Sequence, residues 1–204
     1  MKKIIILIII IIIFTGAGYW FYQSILKSEG ENNEWKTYSN KEYGFEINYP
    51  NSWHSYKSEV GGLAEISTFS QTEYKKYYGT NDYEKLGEDW GVIHVYYIES
   101  NDIEKNIDGL ERLIAALSKG SVSQIEDSTV EEIDVHGTKG YKISFSGKGY
   151  LLDENFSNIF YRFPNKNKEG ILSFEGIFAG KNKEEYGKYA EIFEEMFLTF
   201  KFLQ

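Results

Sequence analysis

The chain contains no cysteine, so it has no disulfide, no thiolate nucleophile and no lipid-modified cysteine. It holds two prolines among 204 residues, with no internal repeat and no long low-complexity tract, which argues for a single folded domain. Gly-x-Ser-x-Gly, a phosphate-binding glycine loop and a His-Glu-x-x-His helix are all missing. Basic charge is scarce as well: 22 Lys and Arg stand against 31 Asp and Glu, a net charge of −9. A surface of that sign repels phosphate backbones and disfavours a peripheral hold on anionic lipid, so no nucleic-acid partner is expected.

What is present starts with a leader. Met1-Lys2-Lys3 precedes an unbroken apolar run, Ile4 to Phe14, then Thr15-Gly16-Ala17-Gly18 and the aromatic cluster Tyr19-Trp20-Phe21-Tyr22. As a helix, Ile4 to Tyr22 rises about 28 Å and nearly spans a hydrocarbon core of ~30 Å. The two lysines keep the amino end cytoplasmic, and the aromatics suit the opposite interface. Residues 1–22 therefore read as a single-pass transmembrane signal-anchor in the cell membrane, touching lipid through residues 4–22, with an extracytoplasmic domain after it. The alternative is a secreted protein, cleaved near Ala17, where small residues offer a signal-peptidase site. Setting Lys2 and Lys3 aside leaves 20 basic residues (22 less these two) against 31 acidic ones, so the remainder is more acidic still, at −11.

Residues 23–34 are polar, charged and glycine-containing, and read as a stalk. Residues 35–204 read as one folded domain. Tyr43 to Pro50 alternates, with Tyr43, Phe45, Ile47 and Tyr49 on one face, and Pro50 stops the strand. Leu63 to Phe69 and Trp90 to Ile98 read as further strands. Ile103, Ile107, Leu110, Ile114 and Leu117 form one helical stripe, with Asn101 or Asp102 to cap it and Gly120 to end it. Two hairpins follow: Thr129 to Val135 with Thr138 to Ser146 around His136-Gly137, and Phe156 to Phe163 with Ile171 to Ala179. A last helix, capped by Asn182 with Glu185, carries Tyr186, Tyr189, Phe193, Met196, Phe197 and Phe200 inward. Strand pairs with short turns and two helices imply an antiparallel sheet covered by helices, class α+β.

The stretch Tyr43-Gly44-Phe45-Glu46-Ile47-Asn48-Tyr49-Pro50-Asn51-Ser52-Trp53 resembles the opening of PsbP-like domains, relatives of the extrinsic subunit of the photosynthetic oxygen-evolving complex. The ending Phe197-Leu198-Thr199-Phe200-Lys201-Phe202 resembles that family's last helix and exit. The resemblance, to the membrane-anchored bacterial type, implies an α/β/α sandwich used as an assembly or binding module rather than an enzyme. The signature residues Tyr43, Gly44, Phe45, Tyr49, Pro50, Trp53, Phe200 and Phe202 have a packing account of their own. Gly44 admits another chain segment close to the strand entrance, Pro50 ends the ladder, and Trp53 folds back over the end of the core.

His54, His94 and His136 lack any ligand spacing and read as scattered polar or capping residues. Acids cluster at Glu99/Asp102/Glu104, Glu126/Asp127, Glu131/Glu132/Asp134 and Glu191/Glu194/Glu195. None has the pattern of an EF-hand loop, so solvated faces are the default and no cofactor is expected, Ca2+ being the ion such clusters would suit if any. Tyrosine is in surplus. Tyr74, Tyr77, Tyr78 and Tyr83, on the polar excursion from Gln71 to Asp89, form the expected partner surface, because tyrosine is an amphipathic contact residue and loops carry function. The expectation is a non-catalytic binding or assembly module for a protein or envelope component. The alternatives are a divalent-cation-binding accessory domain near Asp134, and a hydrolase with a carboxylate pair assembled from distant residues.

Overall fold

A computed structural model describes residues 34–58, 62–73, 89–119, 123–149, 155–180 and 183–203. Contacts divide the chain after Trp35, and the unit from Lys36 onward is the one described below. The expected anchor, the stalk up to residue 33 and Tyr74, Tyr77, Tyr78 and Tyr83 lie outside the described residues. Among the described residues no helix is long and apolar enough to cross a membrane.

The chain runs β1 (Trp35–Asn40), β2 (Phe45–Pro50), β3 (His54–Tyr56), β4 (Ala64–Ser67), β5 (Asp89–Ile98), α1 (Ile103–Leu117), β6 (Ser123–Asp134), β7 (Lys139–Gly149), β8 (Asn155–Pro164), β9 (Ile171–Gly180), α2 (Lys183–Leu198) and β10 (Lys201–Phe202). Seven strands form one antiparallel sheet in the order β3-β4-β5-β9-β8-β7-β6. The other three form a small sheet, β1-β2-β10.

Period-two alternation gives the large sheet two apolar faces. Ile93 and Val95 pair with Gly176 and Phe174, and this face continues through Tyr161, Phe163 and Ile66. It buries Phe193 and Met196 of α2 together with Phe45 and Ile47 of β2. The opposite face presents Tyr141, Ile143 and Phe160 to Ile107, Leu110 and Ile114 of α1. Each helix contributes the apolar stripe its sequence spacing predicts.

Local side-chain and backbone bonds set the element ends. The Asp102 side chain caps α1 by accepting from the Lys105 amide at 2.9 Å. Ser118 closes it, with the Ser118 amide donating to the Ile114 carbonyl at 2.9 Å. The β6–β7 hairpin turns on His136 and Gly137, both at positive φ (51° and 76°), as a two-residue primed turn requires. Ser70 and Glu73 form a capping box, with the Ser70 amide and hydroxyl donating to Glu73 Oε2 at 2.8 and 2.7 Å, and it opens a helical turn at Gln71.

The antiparallel α+β architecture is as expected, but the sequence implied one sheet and there are two. β2 joins β10 instead of the large sheet, with Phe202 opposite Phe45 and Lys201 opposite Glu46. β1, β3 and β10 are short or polar strands without an apolar run to announce them; β1 and β3 pair with the next strand along the chain, and β10 with β2 from more than 150 residues away. Phe200 stays in the core but lies past the end of α2, in the turn into β10. Gly120 and Asn182 lie outside the described residues.

Candidate functional site

α2 packs on β9, β5 and β8 and on β2 of the small sheet. A helix is ~10 Å across and strands lie ~4.8 Å apart, so one helix covers only two or three of the seven strands. The sheet runs on through β7 to the edge strand β6, and there a cleft of about 510 Å3 opens between helix and sheet. Its lining is Ile133 and Asp134 from β6, Lys142 from β7, Tyr161 from β8, and Glu191, Glu194, Glu195, Phe197 and Leu198 from α2.

The floor is aromatic. Phe197 stacks on Tyr161 with centroids 3.6 Å apart and planes 7° from parallel. Burial, reinforced by the negative charges of Glu194 and Glu131, pushes the Tyr161 hydroxyl well above its ordinary pKa, so it stays a neutral phenol. The walls carry four carboxylates and one ammonium. That ammonium, Lys142, spans the cleft to Glu194 Oε1 at 2.8 Å. Asp134 accepts from the Gly137 amide at 2.9 Å. Leu198 forms the rim and is 83% exposed, the most exposed large apolar residue described. The cluster Glu191/Glu194/Glu195 was legible as a run of acids. Its meeting with Asp134, Lys142 and Tyr161 depends on strand order, and no local signal announces it.

A second polar group lies on the opposite face of the sheet. Ser58 Oγ donates to Glu65 Oε1 at 2.7 Å, and Glu65 lies 3.7 Å from His94 Nδ1; both ionisable side chains are buried. One strand further on, Arg162 reaches Glu175 Oε1 at 2.7 Å, Ser173 Oγ at 3.1 Å and Asn106 Oδ1 of α1 at 2.8 Å. Arg162 thereby ties α1 to the sheet. In the sequence Glu65 stands as a lone acid within the apolar run Leu63 to Phe69, which is the one local signal of its burial.

The three histidines have separate settings. His94 is buried beside Glu65, His54 is exposed on β3, and His136 Nε2 lies 2.6 Å from the Phe200 carbonyl oxygen. Among the described residues no three His, Asp or Glu side chains converge to hold a metal ion. A further surface hollow, lined by Tyr97, Glu99, Ser100, Asn101, Lys168 and Glu169, has mixed charge. There Lys168 Nζ sits over the Tyr43 ring at 4.2 Å and pairs with Glu42 at 3.4 Å.

The signature residues pack around the two ends of β2. Gly44 adopts φ +66°, and a Cβ built there would lie 2.0 Å from Asn167 Nδ2. Phe45 stacks on Phe200 at 6.0 Å, and Phe202 meets Phe200 edge-on at 5.1 Å. Tyr49 is buried with its hydroxyl 2.8 Å from Ser55 Oγ. The Pro50 carbonyl accepts from the Trp53 amide at 2.9 Å, and the Trp53 ring abuts Tyr189.

No family model matches the chain, and no curated protein does. Solved structures do. The solution structure of cyanobacterial PsbP (CyanoP) from Synechocystis sp. PCC 6803 aligns over 85% of this chain and 95% of that one, with a TM-score of 0.53 and 13% identity. LpqN, involved in cell envelope biogenesis of Mycobacterium tuberculosis, aligns over 86% and 87% with a TM-score of 0.48 and 9% identity. A point mutant of Mog1 aligns over 84% and 97% with a TM-score of 0.47 and 9% identity. At these identities the likeness concerns architecture, and it agrees with the signature residues at both ends of the domain: the chain carries the PsbP-like fold.

Proposed function

We propose that the chain is a membrane-tethered, extracytoplasmic module that binds a protein or envelope partner without catalysing a reaction. The observation that carries this reading is the cleft beside α2, where half-buried Phe197 over the buried Tyr161 ring, exposed Leu198 and a carboxylate wall line one hollow. An exposed apolar side chain at the mouth of a hollow of this size is what a docking surface offers. The leader supports the compartment, since a basic flank, an apolar run and an aromatic cluster form a signal-anchor.

In-cell photocrosslinking of the full-length protein tests both parts. A photoreactive residue at Leu198, on the cleft rim, is expected to trap a discrete partner. The same residue at Leu113, exposed on α1, is the control. Protease added outside intact cells is expected to digest the domain. A chain protected from protease, or one that forms no adduct from any face, would overturn the reading.

A further inference from the structure

We propose that the cleft takes a cationic, amphipathic peptide segment of the partner: Lys or Arg side chains against Glu191, Glu195 and Asp134, and an adjoining aliphatic or aromatic residue against Leu198 and Phe197. This rests on the binding-module reading above and names the chemistry of the partner.

The charges of α2 are arranged at odds with the helix that bears them. Glu191, Glu194 and Glu195 lie at i, i+3 and i+4, where like charges face one another and repel. Glu194 and Glu195 also lie at the carboxyl-terminal end of α2, where the helix dipole favours cations, and the last turn holds no basic residue. Only Glu194 is paired, through Lys142. Among the described residues, Glu191 and Glu195 have no ion-pair partner. A cation entering the cleft relieves the repulsion and complements the dipole together. Lys142 already shows, within the chain, where one ammonium sits.

Geometry separates a peptide from a metal ion. The carboxylates are spread along the cleft and do not converge, since no three acids or histidines gather into a ligand set among the described residues. A single ion satisfies one or two of them, whereas an extended segment with spaced cations meets them all. Nor does a hydrated ion use the Tyr161–Phe197 stack or the exposed Leu198. An amphipathic segment covers Leu198 and the exposed part of Phe197, and about 510 Å3 accommodates several of its side chains.

The test uses the full chain in nanodiscs of uncharged phosphatidylcholine, titrated with a short peptide alternating Lys and Leu. A Lys-only peptide and Ca2+ alone are run in parallel. The Lys–Leu peptide is expected to bind, more weakly as salt rises. The double variant Glu191→Gln/Glu195→Gln should weaken it about tenfold, a loss of two ion-pair partners. The melting temperature of that variant should hold or rise, because the repulsion within α2 is relieved. Leu198→Ser should weaken the Lys–Leu peptide and leave the Lys-only peptide unchanged. Unchanged affinity in the double variant, saturation by Ca2+ alone, or self-association that competes with the peptide would each overturn the inference. A partner trapped at Leu198 through a segment without Lys or Arg overturns it too and leaves the module reading standing. Absence of any partner on any face defeats both.

Discussion

Asn167 occupies the space that a side chain on Gly44 would need: a Cβ built on Gly44 would lie 2.0 Å from Asn167 Nδ2. That amide donates to the Gly44 carbonyl at 2.9 Å and to the Leu203 carbonyl at 3.0 Å, joining β2, the β8–β9 turn and the chain's end. Gly44→Ala therefore meets two penalties, a Cβ in left-handed backbone at about 1–2 kcal/mol and the expulsion of Asn167. Urea denaturation is expected to show a loss of about 3 kcal/mol for Gly44→Ala and about 1–2 kcal/mol for Asn167→Ala. The double variant should lose less than the sum, because Asn167→Ala clears the space. Strict additivity would mean that the two residues do not meet.

This contact also marks what a sequence reader can and cannot see. Gly44 was legible as a position of close approach, because a glycine at a strand entrance has few other uses. Asn167, more than a hundred residues away, was not legible as the residue that approaches. The same divide runs through the fold. The stripe from Ile103 to Leu117 and the alternation Phe45, Ile47, Tyr49 declare their elements, since burial imposes the helix and strand periods on them. β1, reading Trp-Lys-Thr-Tyr-Ser-Asn, has no apolar face to declare it although its partner β2 follows at once, and the two-residue β10 forms only because β2 is delivered from far along the chain. The cleft follows the same logic. Its acids on α2 are a visible cluster, but their meaning depends on where α2 stops covering the sheet.

Two kinds of glycine should respond oppositely to alanine. A Cβ on Gly176 of β9 would stand 2.6 Å from the rings of both Phe178 and Phe193, which are fully buried and have nowhere to go. Gly176→Ala is expected to cost about 2–3 kcal/mol through overpacking of α2 on the sheet. Gly109 of α1 and Gly187 of α2 would meet nothing within 4 Å. Gly109→Ala and Gly187→Ala should each stabilise by about 0.5–1 kcal/mol, since alanine loses less backbone freedom in a helix. Thermal melts of the three variants decide it, and a stabilised Gly176→Ala would contradict the close packing of Phe193.

Glu104 gives the domain an acid-sensitive contact between α1 and β7. Its carboxylate accepts from Lys139 Nζ at 2.8 Å and from the Tyr141 hydroxyl at 2.6 Å, and these bonds hold it below the usual carboxylate range. A group with a lowered folded-state pKa stabilises above its unfolded pKa and loses that contribution as pH falls through the folded one. Glu104→Gln should thus lower the melting temperature at neutral pH. The gap to the parent should close as pH drops through the carboxylate range. A gap of constant size from neutral to acid would show that charge plays no part.

Arg162 and Glu175 make a close ion pair from which water is largely excluded: 11% and 20% of their side-chain surfaces are exposed. The guanidinium also holds Ser173 and Asn106 and lies over the Phe160 ring at 5.6 Å, so it couples β8, β9 and α1. Arg162→Met removes the cation and leaves the Glu175 carboxylate half-buried, with only the Ser173 hydroxyl donating to it, at 2.9 Å. An uncompensated buried charge of this kind costs about 3 kcal/mol. Arg162→Met/Glu175→Met withdraws both charges and should recover most of that loss, since replacing a whole buried pair with apolar groups is often near neutral. What the double variant does not recover is the Asn106 bond. Asn106→Ala alone should therefore cost about 1 kcal/mol in the parent and nothing measurable in the double variant. Denaturant midpoints for the set would establish whether Arg162 fastens α1 to the sheet or only neutralises Glu175. An Asn106 effect that survives in the double variant would leave it the second role alone.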